Sequence, residues 1–104
     1  MARAKVFAGA CGFTIVIKVQ KIAKMKVEVS LISACRDVRA LNEDLAAVDC
    51  SKGVFGNMVE SYIYKAASKR LHHPDCPVPC AIIKAIQVEL GGALPKDVTI
   101  KISE

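Results

Sequence analysis

Two stretches in the first third of the chain alternate between hydrophobic and polar residues. The hydrophobic positions are Phe13, Ile15, Ile17 and Val19 in the first stretch and Val27, Val29 and Leu31 in the second. A period of two is typical of half-buried strands, so the pattern predicts strands over about residues 13–21 and 26–33. A short apolar run predicts another strand over about 3–8, and a last alternating stretch predicts one over about 97–103. Short turns join the first three strands, which favours an antiparallel meander.

Between these strands the hydrophobic residues follow a helical period. Val38, Leu41, Leu45 and Val48 fall on one helical face. This period predicts helices over about residues 36–48, 57–71 and 77–90. Asn57 is placed to open the second helix as an N-cap, and two consecutive glycines from Gly91 end the third. The expected fold is α+β, a small and mainly antiparallel sheet with the helices packed on one face.

The composition is that of one folded domain. The chain has 104 residues, of which 53% are hydrophobic and only 5% aromatic, with no Trp. A chain of this length can bury one hydrophobic core, built here from Val, Ile, Leu and Ala. Neither an internal repeat nor a linker is visible, so we expect a single domain over residues 1–104.

The formal net charge of +5 comes from basic residues spread along the chain. Aromatic residues that could stack on bases are almost lacking beside them, which argues against a nucleic-acid partner. The apolar start imitates an export signal, but Gly9 and Gly12 interrupt it and no cleavage site follows. No apolar run approaches the roughly 18 residues of a membrane span. We therefore expect a cytoplasmic protein whose thiols stay reduced.

Three of the five cysteines lie at the boundaries of predicted elements. Cys11 precedes the second strand, Cys35 stands between the third strand and the first helix, and Cys76 precedes the last helix. In an antiparallel meander the first two of these positions meet at one edge of the sheet, and a helix packed on the sheet could bring the third to the same edge. Soft thiolates suit zinc or an iron-sulfur cluster, so the sequence predicts a three-cysteine metal site.

The segment before the last helix holds further candidate ligands. His72, His73 and Cys80 are each candidates for a fourth ligand of the same site. Proline is tolerated in the first helical turn, which places Cys76 at the N-cap and Pro77 at the first helical position. Unpaired backbone N–H groups at a helix start favour the thiolate form, so we expect a reactive thiol at Cys76.

Other readings of these residues compete with the metal site. Cys50 matches no ligand spacing and is interpreted as a bystander. The thiols could all be buried and inert, as in an interaction or structural protein, because free cysteine is among the most buried residue types. Paired carboxylates, a Ser-His-Asp order and a phosphate-binding glycine loop are absent from the sequence, so a conventional enzyme is not expected.

The cysteine positions resemble those of the U-type iron-sulfur cluster scaffolds, the IscU family and the N-terminal domain of NifU. The match is carried by Ala10-Cys11-Gly12, by Cys35 at a helix start and by Cys76 opening a late helix. This resemblance implies a scaffold or carrier that receives sulfur from a donor protein and passes a cluster to an acceptor. Two positions depart from the family: Phe13 replaces an aspartate, and Asp75 replaces the histidine directly before the last cysteine. A ligand supplied by a second subunit would imply a homo-oligomer.

Two further resemblances involve the same motifs. The segments Ala8-Gly9-Ala10-Cys11-Gly12-Phe13, Ser33-Ala34-Cys35 and His73-Pro74-Asp75-Cys76-Pro77-Val78-Pro79 are similar to a family of small uncharacterised proteins of anaerobic bacteria and archaea. The Cys-Pro-x-Pro run that starts at Cys76 also resembles the TusA-type sulfur carriers. That likeness implies the alternative function, a persulfide carried on Cys76.

Overall fold

A four-stranded antiparallel sheet forms one layer of the computed structural model, which describes residues 1–51 and 53–104. The strands are β1 (Ala2–Phe7), β2 (Thr14–Ala23), β3 (Lys26–Ser33) and β4 (Val48–Asp49), in the spatial order β1-β2-β3-β4. The first three lie within about two residues of their predicted bounds, and the meander is confirmed. The two-residue β4 was not predicted.

The helices cover one face of this sheet and make the fold α+β, as expected. They are α1 (Arg36–Ala40), α2 (Tyr62–Arg70) and α3 (Val78–Glu89). The alternating hydrophobic residues of β2 and β3 point towards the helices, and all of them from Ile15 to Leu31 are buried. The helix α3 lies across β1 and β2 and contributes the buried Ile82 and Ile86 to the same core.

The helix predicted over residues 36–48 begins as predicted but ends early, at Glu43. Only α1 and a 3-10 turn, Leu41–Glu43, are helical, and the chain then runs beside β3. The Asn42 side chain accepts a hydrogen bond from the Leu31 N–H at 2.8 Å and donates one to the Leu31 carbonyl at 3.0 Å. The Leu45 carbonyl accepts from the Val29 N–H at 2.9 Å. The Leu45 carbonyl thus bonds β3 in place of a later helical N–H, and the Asn42 side chain holds the same segment against the strand, while Leu45 is buried as the pattern required.

The second helix begins later than residue 57. Asn57 does not cap it, because its side chain accepts from the Glu60 N–H and closes a separate turn. Ser61 is the N-cap of α2, and its hydroxyl accepts a hydrogen bond from the Tyr64 N–H at 3.3 Å. Asn57 therefore makes the side-chain bond typical of an N-cap, but it caps a single turn over residues 58–60 that does not continue into α2.

The third helix begins one residue later and ends one residue earlier than predicted, and it stops before Gly91 as expected. Pro77, not Cys76, is its N-cap residue, with Val78 as the first helical residue. At the other end Gly91 has a φ of +79°, a left-handed conformation that glycine adopts without strain. Its N–H donates to the Val88 carbonyl, and the Gly92 N–H donates to the Gln87 carbonyl. This pair of bonds is a Schellman motif.

The strand predicted over residues 97–103 does not form. Residues 93–104 have no regular secondary structure, and Val98, Ile100 and Ile102 are 54%, 71% and 90% exposed. The alternating pattern expresses a preference for extended backbone, but a strand also needs a partner for its N–H and C=O groups. Within the described residues this segment pairs with neither edge of the sheet.

Candidate functional site

The antiparallel register places Cys11 and Cys35 at the same end of the sheet, beyond the ends of its strands. Phe7 at the end of β1 is opposite Thr14, and Ser33 at the end of β3 is opposite Ile15. The turn that carries Cys11 and the start of α1 therefore leave the sheet on the same side. Cys35 is the N-cap residue of α1, and its N–H donates to the Ser33 hydroxyl at 3.1 Å.

Cys76 is close enough to both of these cysteines to interact with them electrostatically. It precedes α3 and is half-buried against the core, as is Cys35. Burial is the largest cause that raises the pKa of the Cys76 thiol above its ordinary value, and a hydrogen bond from the Val78 N–H opposes this effect. The charges of Cys11, Cys35 and Asp75 raise the pKa further.

The expectation that the helix start makes Cys76 a thiolate is therefore wrong. The backbone N–H at the start of α3 acts in the expected direction, but the loss of solvation around the sulfur outweighs it. The net effect is a raised pKa for the Cys76 thiol.

The three thiols are neighbours, but they do not form a complete ligand shell. Among residues 1–51 and 53–104, no three His, Cys, Asp or Glu side chains are grouped closely enough to hold a metal ion. Cys11 is exposed in its turn, whereas Cys35 and Cys76 are half-buried. The three predicted cysteines thus lie at one end of the sheet, but they do not surround a single metal position.

Of the two histidines, His72 is the one that contacts an element at this end of the sheet. Its Nδ1 lies 2.7 Å from Oδ2 of Asp37, which stands in the first turn of α1, two residues after Cys35. A hydrogen bond at Nδ1 leaves Nε2 available to a ligand and fixes the orientation of the ring. His73 is exposed, and its carbonyl accepts a long hydrogen bond of 3.5 Å from the Cys76 N–H.

Asp37 is the functional candidate that the sequence reasoning missed. Its position two residues after Cys35 was the available signal, since a carboxylate in the first turn of that helix stays near the cysteine. The partner of this carboxylate, His72, is 35 residues away in the chain. The pairing therefore depends on how α1 packs beside the end of α2, which spacing in the sequence does not give.

The remaining two cysteines lie elsewhere. Cys80 is exposed on α3 and lines a hollow with Tyr64. Burial raises the pKa of Tyr64, and the charge of Cys80 adds to this effect. Cys50 is only 2% exposed, and its thiol donates to the Val48 carbonyl at 3.6 Å. Burial is the main cause that raises the pKa of Cys50. Cys50 is therefore a core residue.

These environments predict an order of reaction with iodoacetamide. Cys11 and Cys80 should be alkylated first because they are exposed, Cys35 and Cys76 later, and Cys50 only after unfolding. The rate at Cys76 should rise with pH until the pH passes its raised pKa, because the thiolate is the reacting form. Peptide mapping by mass spectrometry after timed alkylation measures this order. Faster labelling of Cys76 than of Cys11 at neutral pH would contradict it.

Comparisons with known proteins add a family but no activity. No curated protein and no solved structure matches the chain. No helix in the described part of the chain is long and apolar enough to cross a membrane. A family model, described as a family of unknown function (DUF6951), matches residues 2–102. Because this match spans nearly all of the sequence, the chain belongs to that family.

Proposed function

We propose that the protein binds zinc or an iron-sulfur cluster through Cys11, Cys35 and Cys76 and acts as a carrier or scaffold for it. The observation that supports this function is that Cys11 and Cys35, from two other elements, add to the effect of burial in raising the pKa of Cys76, so each lies near that sulfur. The thiolate sulfurs of three cysteines bind soft metals well and bind magnesium or calcium poorly.

The turn between β1 and β2 presents Cys11 at the surface. Gly9 and Gly12 lie on either side of Cys11 with positive φ values, and Cys11 is exposed. Closure of the site around a metal would require this turn to bring Cys11 to the other two thiols. Cys35 and Cys76 are held by the core, so they form the fixed side of the site.

His72 is the fourth ligand that the contacts favour. The Asp37 carboxylate at its Nδ1 reproduces the carboxylate-histidine-metal arrangement common in metal sites, in which the second ring nitrogen binds the metal. Three cysteines and one histidine form a known tetrahedral set for zinc. Cys80 is a weaker candidate because it faces the hollow beside Tyr64.

The exposure of the site suits a carrier. Cys11 and His72 are exposed, so a metal held by them would remain accessible to another protein. The exposed apolar side chains of Phe7, Phe13 and Ile32 lie at the same end of the sheet. A sulfur donor or cluster acceptor would contact these side chains while it reached the thiols. The persulfide alternative needs a low-pKa thiol at Cys76, and the raised pKa does not favour it.

Metal loading of matched cysteine variants tests this proposal. The protein is purified without oxygen, stripped of metal, and titrated separately with zinc and with iron plus sulfide. One metal centre per chain is expected for the wild-type protein. Cys11→Ser, Cys35→Ser and Cys76→Ser should each lose most of the binding, whereas Cys80→Ser should retain it. Metal analysis and visible absorption distinguish zinc from a cluster.

The pair of histidines supplies an internal control for the fourth ligand. His72→Ala should weaken binding strongly and His73→Ala should not, while Asp37→Asn should lower affinity by about 10- to 100-fold through the orientation of His72. Circular dichroism confirms that each variant is folded. Full loading of Cys76→Ser, or equal losses in Cys76→Ser and Cys80→Ser, would contradict the shared site.

A further inference from the structure

One face of the sheet is open to solvent, because the three helices pack on the other face and share its core. Along β1, β2 and β3 the residues of the open face alternate with the residues that point to the core. We call the open side the outer face. It includes Arg3 and Lys5 of β1, Val16 and Lys18 of β2, and Glu28 and Ile32 of β3.

Three cations occupy adjoining positions of the outer face. Arg3 is directly opposite Lys18 on the neighbouring strand, and Lys5 lies two residues from Arg3 on the same side of β1. Like charges directly opposite each other destabilise a pair of strands. Neither β1 nor β2 contains an acidic residue, and within the described residues none of the three cations forms an ion pair.

Protection of the sheet edge explains only part of this cluster. Cations on an edge strand discourage pairing with further strands, which accounts for Arg3 and Lys5 on β1. Lys18 is on β2, which lies between β1 and β3, so it protects no edge. A negative charge from outside the chain would relieve the repulsion between Lys18 and Arg3. The cluster therefore indicates a surface that contacts an anionic partner.

The distribution of charge over the outer face distinguishes between classes of anionic partner. The three cations lie in the half of the face formed by β1 and β2. Farther from the cysteines, the face carries Glu28, opposite Gln20, and Asp49, opposite Lys26. A nucleic acid or an anionic membrane would present negative charge to the whole face and would be repelled at these two carboxylates. A protein surface can be acidic at one place only, so it fits this distribution.

Apolar side chains adjoin the cations, as they do in protein interfaces. Val16 lies opposite Lys5 on one side and opposite Ile32 on the other. Ile32 is 55% exposed, although it stands next to half-buried Val16. Interfaces between proteins combine an apolar centre with a polar rim, and arginine is enriched in them. Phosphate groups would gain nothing from these two aliphatic side chains.

We propose that the outer face docks an acidic surface of a partner protein. Carboxylates of the partner contact Arg3, Lys5 and Lys18, and its aliphatic side chains cover Val16 and Ile32. The cations lie nearer than Glu28 to the end of the sheet where Cys11 and Cys35 are found, so the charges also fix which way the partner lies along the strands. Access of this partner to the thiols rests on the function proposed above, whereas the docking itself does not.

Binding of a synthetic helical peptide tests the docking with the full chain in its metal-free form. The labelled probe carries glutamates one helical turn apart, beside a row of leucines. Side chains at that spacing are about 5–6 Å apart, close to the distance of about 5 Å between residues directly opposite on adjacent strands, such as Arg3 and Lys18. The control peptide has glutamine in place of every glutamate. Fluorescence anisotropy at physiological ionic strength should show at least about tenfold tighter binding of the acidic peptide.

Paired charge substitutions locate the binding on the outer face. Arg3→Gln with Lys18→Gln should weaken binding of the acidic peptide about tenfold, the effect of losing two exposed charge contacts. The matched control, Lys65→Gln with Lys69→Gln, removes the same charge from exposed positions of α2 and should change the affinity less than about twofold. The midpoint of thermal unfolding should not fall in the first variant, because that change removes a repulsion.

A pair of apolar substitutions tests the aliphatic part of the surface. Ile32→Ser should weaken binding of the acidic peptide about threefold or more, because the exposed side chain loses its apolar contact. Val59→Ser changes an aliphatic residue that is 83% exposed in the turn before α2, and it should leave the affinity unchanged. Circular dichroism confirms that both variants are folded.

Several results would overturn the docking. They are the absence of peptide binding to the wild type, equal losses in the two charge variants, and equal effects of Ile32→Ser and Val59→Ser. Tighter binding of a short DNA duplex or of phosphatidylglycerol vesicles than of the peptide would also overturn it, because the partner would then be a nucleic acid or a membrane. All these measurements use the metal-free protein, so a failed docking is distinguishable from a failed metal titration.

Discussion

Ile82→Ala is expected to lower the free energy of unfolding by about 2–5 kcal/mol, the usual cost of truncating a fully buried Ile. Ile82 has no exposed surface and lies where α3 packs on the sheet. Its removal leaves a cavity between two rigid layers, because neither the helix nor the strands can move into the space without losing other contacts.

The neighbouring Ile83 is the matched control for this substitution. It has the same side chain on the same helix but is only half-buried against the core. Ile83→Ala should therefore cost less than half as much as Ile82→Ala. Urea unfolding at equilibrium measures both, and an unchanged m value shows that the comparison concerns the folded state. Equal losses in the two variants would contradict the burial seen in the structure.

Gly53→Ala is expected to destabilise the protein by at least about 2 kcal/mol, because strain and a steric clash add together. Gly53 has a φ of +82°, where an alanine is strained. A Cβ at this position would also lie 2.7 Å from the backbone N of Tyr62 and 3.1 Å from the Glu60 carbonyl oxygen. Both are backbone atoms at the start of α2, so relief of the clash would displace the Ser61 cap.

A second glycine in the same loop provides the control. A Cβ at Gly56 would meet nothing within 4 Å. Gly56→Ala should change the free energy of unfolding by no more than about 0.5 kcal/mol. Thermal unfolding of the two variants beside the wild type measures the difference. A Gly53→Ala protein as stable as Gly56→Ala would show that the loop does not approach α2 as closely as described.

The strands of the meander were predictable because each has one buried face. Ile15, Ile17 and Val19 of β2 alternate with exposed or half-buried residues along a single backbone, so the two-residue period in the sequence is also the period of burial. The helix α3 was predictable for a related reason. Its limits are determined by local chemistry, with prolines tolerated at its start and glycine in the left-handed region at its end.

The first predicted helix ended early because long-range contacts hold the chain that follows it. Nothing in the sequence shows that the Asn42 side chain will bind Leu31 or that the Leu45 carbonyl will accept from Val29, yet these contacts hold the segment beside β3. The hydrophobic residues next to Asn42 and Leu45 would be buried in a continued helix and are buried in the observed segment. The hydrophobic pattern therefore does not distinguish these two conformations.

The positions of the three cysteines in the fold were predictable, but the electrostatics of Cys76 were not. The boundary positions of Cys11, Cys35 and Cys76 follow from the order of the elements, and the structure brings the three thiols to one edge. The pKa direction of Cys76 depends on how much solvent the packing of α3 leaves around the sulfur. The role of Asp37 likewise depends on a contact with His72 that only the folded chain creates.

The two hydrogen bonds between Asn42 and Leu31 also limit where another chain could pair with the sheet. Unpaired N–H and C=O groups on an outer strand are a template for a further strand and thus for aggregation. At Leu31 the Asn42 amide accepts from the N–H and donates to the C=O, as a neighbouring strand would. A side chain therefore occupies this position of β3, and another strand could pair there only by displacing it.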